Sequence, residues 1–143
     1  MNLGESTGTG HVYWSFNQAG AFGEGIYFSN SSGSQSSIGY LVQDNSASQV
    51  TGVNASNLSD GVDFKSAFVY KENDYISATN GTLGNADTSA TVPTNERLVI
   101  GNNAWGTSGS PSGQLNPGNA HFKSFKYYNK RLPNAQLQGL TQQ

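Results

Sequence analysis

The sequence predicts an all-β fold, an antiparallel two-sheet sandwich completed by one short C-terminal helix. Three observations lead there. Charged residues are 11% of the chain, against about 25% in an ordinary soluble protein, and Gly, Ser, Asn, Thr and Gln together supply about half of it, a composition that disfavours long helices. The aromatic residues (7 Tyr, 7 Phe and 2 Trp) fall at period two rather than at helical spacing. Gly-, Asn- and Pro-bearing turn signals separate these runs at short intervals, the pattern of many short strands. A length of 143 residues suits one domain with a sizeable core.

The elements follow in chain order. Val12, Trp14 and Phe16 alternate with His11, Tyr13 and Ser15, a half-buried strand with Trp14 in the core. Ile26 and Phe28 oppose Tyr27 in the next. Ile38, Tyr40 and Val42 repeat the pattern after the turn-rich stretch Asn30–Ser37. Gln49 to Asn54 is a weaker strand, with Val50 and Val53 on opposite faces. Phe64 to Tyr70 is apolar on both sides, Phe64, Phe68 and Tyr70 on one and Ala67 and Val69 on the other, which suits a strand held between two layers. Ile76 to Leu83 reads as a hairpin, because Asn80-Gly81 satisfies a type I′ turn, whose two central residues need positive φ.

Val92-Pro93 interrupts the chain, and Arg97 to Gly101 opens another strand. A long Gly- and Pro-rich loop carries Trp105 from Asn102 to Asn119, and His121 to Tyr128 forms the last strand, with Phe125 and Tyr127 on its inner face. Leu132, Leu137 and Leu140 have helical spacing, and Pro133 suits a helix start, where its missing N–H costs nothing. Such a helix is two turns at most and must lean on the sheet to persist. The expected core comprises Phe64, Phe68, Ile100, Phe125, Tyr127, Leu132, Leu137 and Leu140.

The ordered series Phe64-Lys65-Ser66-Ala67-Phe68-Val69-Tyr70, Asn73-Asp74-Tyr75, Asn80-Gly81, Leu98-Val99-Ile100-Gly101 and Tyr127-Tyr128…Arg131-Leu132…Ala135-Gln136-Leu137…Leu140-Thr141 resembles the concanavalin A-like, laminin-G-like jelly-roll domains of tailed-bacteriophage virion proteins. The resemblance covers residues 64–141 well and residues 8–43 by pattern alone. It implies that residues 1–143 are a single jelly-roll domain, lacking an N-terminal strand or cut from a longer chain. It also implies a tail-fibre or tail-associated location at the virion surface, host-surface glycan as a partner, other virion proteins as neighbours, and a homotrimer built through lateral contacts. Pro133 departs from the family pattern, which has Ser or Asp there as a helix cap.

The same residues weigh the chemistry. A net charge of −2 argues against nucleic acid as a partner. No run approaches the ~20 apolar residues of a membrane span. Without cysteine, disulfides, thiolate chemistry and Cys-based zinc sites fall away. Retaining glycosidases need two carboxylates about 5–5.5 Å apart, whereas Glu5, Glu24, Glu72 and Glu96 are isolated and form no alternating pair on one strand. Only His11 and His121 are available as imidazole bases to activate a serine nucleophile. The expectation is therefore a protein that is not an enzyme.

The resemblance makes calcium the candidate cofactor, for which Asp60, Asp63, Asp74 and Asp87 are the hard-oxygen ligands; the simpler role for these residues is closing turns onto their own backbone. For a glycan, the candidates are Trp105 as a stacking platform, Asn102 and Asn103 as amide partners, and Tyr27 and Tyr75, with Tyr13, as exposed rings on strand faces. The alternative function is structural: a head-decoration or tail-assembly module acting through protein–protein contacts alone.

Overall fold

The computed structural model describes residues 2–3, 12–18, 24–30, 38–45, 47–54, 58, 61–101 and 120–143. The strands are β1 (Asn2–Leu3), β2 (Val12–Asn17), β3 (Gly25–Asn30), β4 (Ile38–Asp44), β5 (Ala47–Asn54), β6 (Ser66–Val69), β7 (Ile76–Thr79), β8 (Thr82–Leu83), β9 (Arg97–Ile100) and β10 (Ala120–His121). One helix, α1 (Asn134–Thr141), follows them. A five-stranded sheet runs β5-β4-β3-β2-β9, a three-stranded sheet β6-β7-β8, and β1 pairs with β10. Every pairing is antiparallel. The all-β sandwich with a short C-terminal helix is thus the observed architecture.

The core lies between the two larger sheets. Period two puts Trp14, Phe16, Ile26, Phe28, Tyr40 and Val42 on the inner face of the five-stranded sheet, through the registers Trp14↔Phe28, Phe16↔Ile26, Phe28↔Tyr40 and Ile26↔Val42. A bulge between Val12 and Trp14 adds Tyr13 to the same side. Both neighbours then meet Phe28, Tyr13 with ring centroids 5.8 Å away and Trp14 at 6.0 Å. From the opposing sheet Phe68 stacks on Tyr40 at 4.3 Å, with the planes 7° apart, and Phe64 closes on Phe28 at 6.3 Å.

The dual-faced strand expected at residues 64–70 is β6, and both of its faces are used. Phe68 and Tyr70 pack toward the main core, while Ala67 and Val69 join Ile76, Ala78, Leu83, Leu132 and Leu137 in a second cluster beneath α1. The turn after β7 has Asn80 at φ 49° and Gly81 at φ 79°, the positive values that Asn-Gly supplies at least cost. Thr141 fastens that turn to the helix: its Oγ1 accepts from the Gly81 N–H at 3.0 Å and donates to the Leu137 carbonyl at 3.0 Å. Pro133 sits at the N-cap rather than inside the first turn, and no side chain caps the helix.

Four sequence expectations are corrected. The strand expected from His121 to Tyr128 is only Ala120–His121; the following residues dock through ring contacts, Phe125 against Trp14 at 5.6 Å and Tyr127 against Phe16 at 5.8 Å. Tyr127 is accordingly 60% exposed, not core. Ile100 is 49% exposed: its register with Trp14 gives it the inner face, but β9 ends the order of the five-stranded sheet among the described residues. Leu140 is exposed because Leu137 and Thr141, four apart, are the helix positions that meet the sheet. Of the remaining expected core, Phe64, Leu132 and Leu137 are buried, and Phe68 and Phe125 are half-buried. The loops at 31–37 and 102–119 lie outside the described residues.

Candidate functional site

Among the described residues, those singled out from sequence do not form one site. Tyr27 and Tyr75, expected as exposed sugar platforms, are 1% and 0% exposed, and Tyr13 is also buried. Alternation puts Tyr27 on the outer face of β3, which is covered here, whereas the bulge turns Tyr13 inward and Tyr75, just before β7, joins the main core. The Tyr27 hydroxyl donates to the Glu24 carbonyl at 2.9 Å and that of Tyr75 to the Thr91 carbonyl at 2.6 Å. Burial first, then the carboxylates of Asp44, Asp87 and Glu72, pushes the Tyr75 phenol up to about 12, so it stays a neutral donor. Trp105, Asn102 and Asn103 lie outside the described residues.

The calcium candidates are likewise dispersed. Asp63 pairs with Lys123. Asp74 is forked by Arg131, Nε to Oδ2 at 2.9 Å and Nη2 to Oδ1 at 2.9 Å, and these bonds hold its carboxyl below the usual range against a partial desolvation. Asp87 Oδ1 accepts from the Ser89 N–H at 2.9 Å and from its hydroxyl at 3.1 Å, the turn-closing role. Asp60 lies outside the described residues. Among the described residues no three His, Asp or Glu side chains are grouped to hold a metal ion, and no helix is long and apolar enough to cross a membrane.

What the fold does assemble is a cleft. Where the segment after β10 leans on β2 by its rings instead of pairing with a strand, a cavity of about 630 Å³ stays open, lined from β2, from β6 and its flanks, from that segment and from α1, within the ~300–1,000 Å³ span of ligand sites. Trp14, Phe16, Phe68, Tyr70, Phe125 and Tyr127 give it an aromatic lining. Phe16 is the hinge of this surface, with Tyr70 at 6.2 Å, Phe125 at 6.4 Å and Tyr127 at 5.8 Å.

Polar groups punctuate the apolar lining. The Tyr70 hydroxyl donates to that of Tyr127 at 3.3 Å, and Ser66 Oγ and Tyr40 Oη are 2.6 Å apart. The Tyr40 and Tyr70 phenols are both raised by burial, Tyr70 further by its Tyr127 neighbour, so each remains a protonated donor through neutral pH. The lining also includes the exposed Lys65, Lys71, Glu72, Lys126 and Lys130 and the half-buried Arg131.

The cleft draws mainly on the stretches around 14–16, 64–72 and 122–132, with Phe28, Tyr40, Val92 and the α1 residues Leu137, Leu140 and Thr141 added, segments that only the topology brings together. One signal was visible in the sequence: Lys123, Lys126, Lys130 and Arg131, four of the seven basic residues, interleave with Phe122, Phe125, Tyr127 and Tyr128 in a single short run. Comparison with known proteins returned nothing similar: no family model, no curated protein and no solved structure matches this chain.

Proposed function

We propose that the chain is a non-catalytic carbohydrate-recognition domain, displayed on a phage virion in a tail-fibre or tail-associated protein, that takes host-surface glycan in the aromatic cleft. The observation that carries the reading is the cleft itself: ligand-sized, open, walled by Trp14, Phe16, Tyr70, Phe125 and Tyr127, and edged by phenolic and seryl hydroxyls. Pyranose rings present CH faces that stack on aromatic planes and hydroxyls that need paired donors and acceptors. The virion setting rests on the resemblance of residues 64–141 to such domains. Asp63 and Asp74 are held in ion pairs and Asp87 closes a turn, which supports a role without catalysis.

A glycan array probed with the wild-type chain and with Tyr127→Ala tests the reading. Tyr127 is exposed enough that its removal spares the fold, and losing one stacking ring is expected to weaken binding about tenfold, near 1.4 kcal/mol. A folded wild type that binds no glycan overturns the function. Binding insensitive to Tyr127→Ala but lost in Trp105→Ala moves the site to the sequence around Trp105.

A second reading, a structural module acting through protein contacts, draws on Leu98 and Ile100 of β9 and on Tyr127 and Tyr128 of the cleft lining, which are 40–60% exposed. Apolar surface of this kind commonly marks an interface. Sedimentation across a concentration series separates the two, since a packing module self-associates and a glycan binder need not.

A further inference from the structure

The chain as a whole is acidic, with 9 Asp and Glu against 7 Lys and Arg, yet its positive charge is gathered at one place. Five of the seven basic side chains, Lys65, Lys71, Lys126, Lys130 and Arg131, line the cleft, and Glu72 is the one acid among its described lining residues. Arg131 is neutralised by the fork with Asp74. The Lys65 ammonium donates to the Gln142 carbonyl at 2.6 Å, which leaves its charge uncompensated. Among the described residues no carboxylate pairs with Lys65, Lys71, Lys126 or Lys130. These residues belong to two parts of the chain, Lys65 and Lys71 flanking β6 and Lys126 and Lys130 on the segment after β10, and all four line the one cleft.

We propose that the cleft selects an acidic saccharide, a sugar chain whose rings bear carboxylate or phosphate groups. The inference rests on the saccharide reading above and adds the charge of the ligand. The rings stack on the aromatic lining while the acidic substituents reach outward to Lys71, Lys126 and Lys130. A lysine is a compact point charge that serves either anion, and the low-polarity walls strengthen the attraction beyond its value in open water. Single-stranded nucleic acid also combines stacking with phosphate contacts. The overall negative charge and the shortness of the lysine cluster, which spans one cleft and no continuous track, favour the saccharide.

Affinity electrophoresis in native gels tests this, with mobilities referenced to a polymer-free gel so that charge changes in the variants cancel. The gels carry polygalacturonate, polyglycerol phosphate or neutral dextran, and a parallel lane offers an oligothymidylate. Retardation by either acidic polymer at least tenfold stronger than by dextran supports the proposal, and the stronger of the two names the anion. Lys71→Gln/Lys126→Gln/Lys130→Gln is expected to abolish that preference while keeping the wild-type unfolding transition, and Tyr127→Ala to weaken retardation by about tenfold.

Equal retardation by dextran and by the acidic polymers overturns the charge inference and leaves the saccharide reading standing. Retention of no polymer, together with a blank glycan array, overturns the saccharide reading and the inference with it. Binding to oligothymidylate as strong as to the acidic polymers, or acidic retention unaffected by Tyr127→Ala, reduces the cleft to a general polyanion surface and overturns the proposal as well.

Discussion

Leu137 is the residue on which the docking of α1 turns. It is 2% exposed and packs with Val69, Ile76, Ala78 and Leu132 on the outer side of the three-stranded sheet. Leu137→Ala removes three buried carbons, about 2.4 kcal/mol at ~0.8 kcal/mol for each. The cavity left behind adds to that, which puts the expected loss near 3 kcal/mol, inside the ~2–5 kcal/mol range of buried leucine truncations. Leu140, 41% exposed on the same helix against 2% for Leu137, has about three-fifths as much burial to lose and leaves no enclosed cavity, and Ala is the better helix former. Leu140→Ala should therefore cost about 1 kcal/mol.

Urea titrations followed by far-UV circular dichroism measure both variants, with unchanged slopes confirming that stability alone has moved. Against a typical total of about 5–15 kcal/mol, the difference between the two midpoints is easily resolved. Equal losses for the two variants, or a loss below about 1 kcal/mol for Leu137→Ala, would refute the packing of α1 on β6 and β7.

Three further outcomes are expected. Thr141→Val keeps shape but strands the Gly81 N–H; it should cost about 1–2 kcal/mol and speed amide exchange at Gly81, while Thr141→Ser leaves exchange near the wild-type rate. Ser77, 1% exposed, has a hydroxyl without a hydrogen-bond partner among the described residues, so Ser77→Ala should raise the urea midpoint, by up to about 1 kcal/mol. Asp74 has its carboxyl pKa lowered by the Arg131 fork, so the pair stabilises the fold above the unfolded value near 3.9 and that contribution is lost as pH falls through the folded value. With the carboxylate more than a third exposed, the contribution is under about 1 kcal/mol; an Asp74→Asn chain should match the wild type at pH 2.5 and fall below it at pH 6.

Much of the fold was legible because period two is a strong signal where aromatics carry it. Trp14, Phe16, Ile26, Phe28, Tyr40 and Val42 were each assigned to a strand face they in fact occupy, and Asn80-Gly81 marked its turn. The dual-faced strand at residues 64–70 was readable because Phe68 and Val69 are both large and apolar. The failures share a cause: a pattern reports which side a residue takes, not what lies over that side. Ile100 has the inner register yet stands at the end of the sheet, and Tyr27 has the outer register yet is covered. The bulge that turns Tyr13 inward breaks alternation by one residue and leaves no trace in composition. The cleft was hidden for a topological reason, since Trp14, Tyr70 and Tyr127 meet only after three distant segments are assembled, although the basic, aromatic run at 122–131 was a local clue.

The pairing of β9 with β2 has a kinetic side. Arg97 Nε donates to Asn17 Oδ1 at 2.7 Å in a partly buried hydrogen bond between residues 80 positions apart, and β2 to β5 form a simple meander made long before β9 is synthesised. The early strands can pair locally, but the aromatic face of that meander has no opposing sheet until β6 to β8 emerge, and no fifth strand until β9 does. Long-range closure of this kind slows folding toward the millisecond-to-second regime and leaves a sticky intermediate exposed meanwhile. Substitutions that weaken β9 are therefore expected to lower soluble yield more than they lower the melting temperature of whatever protein is recovered.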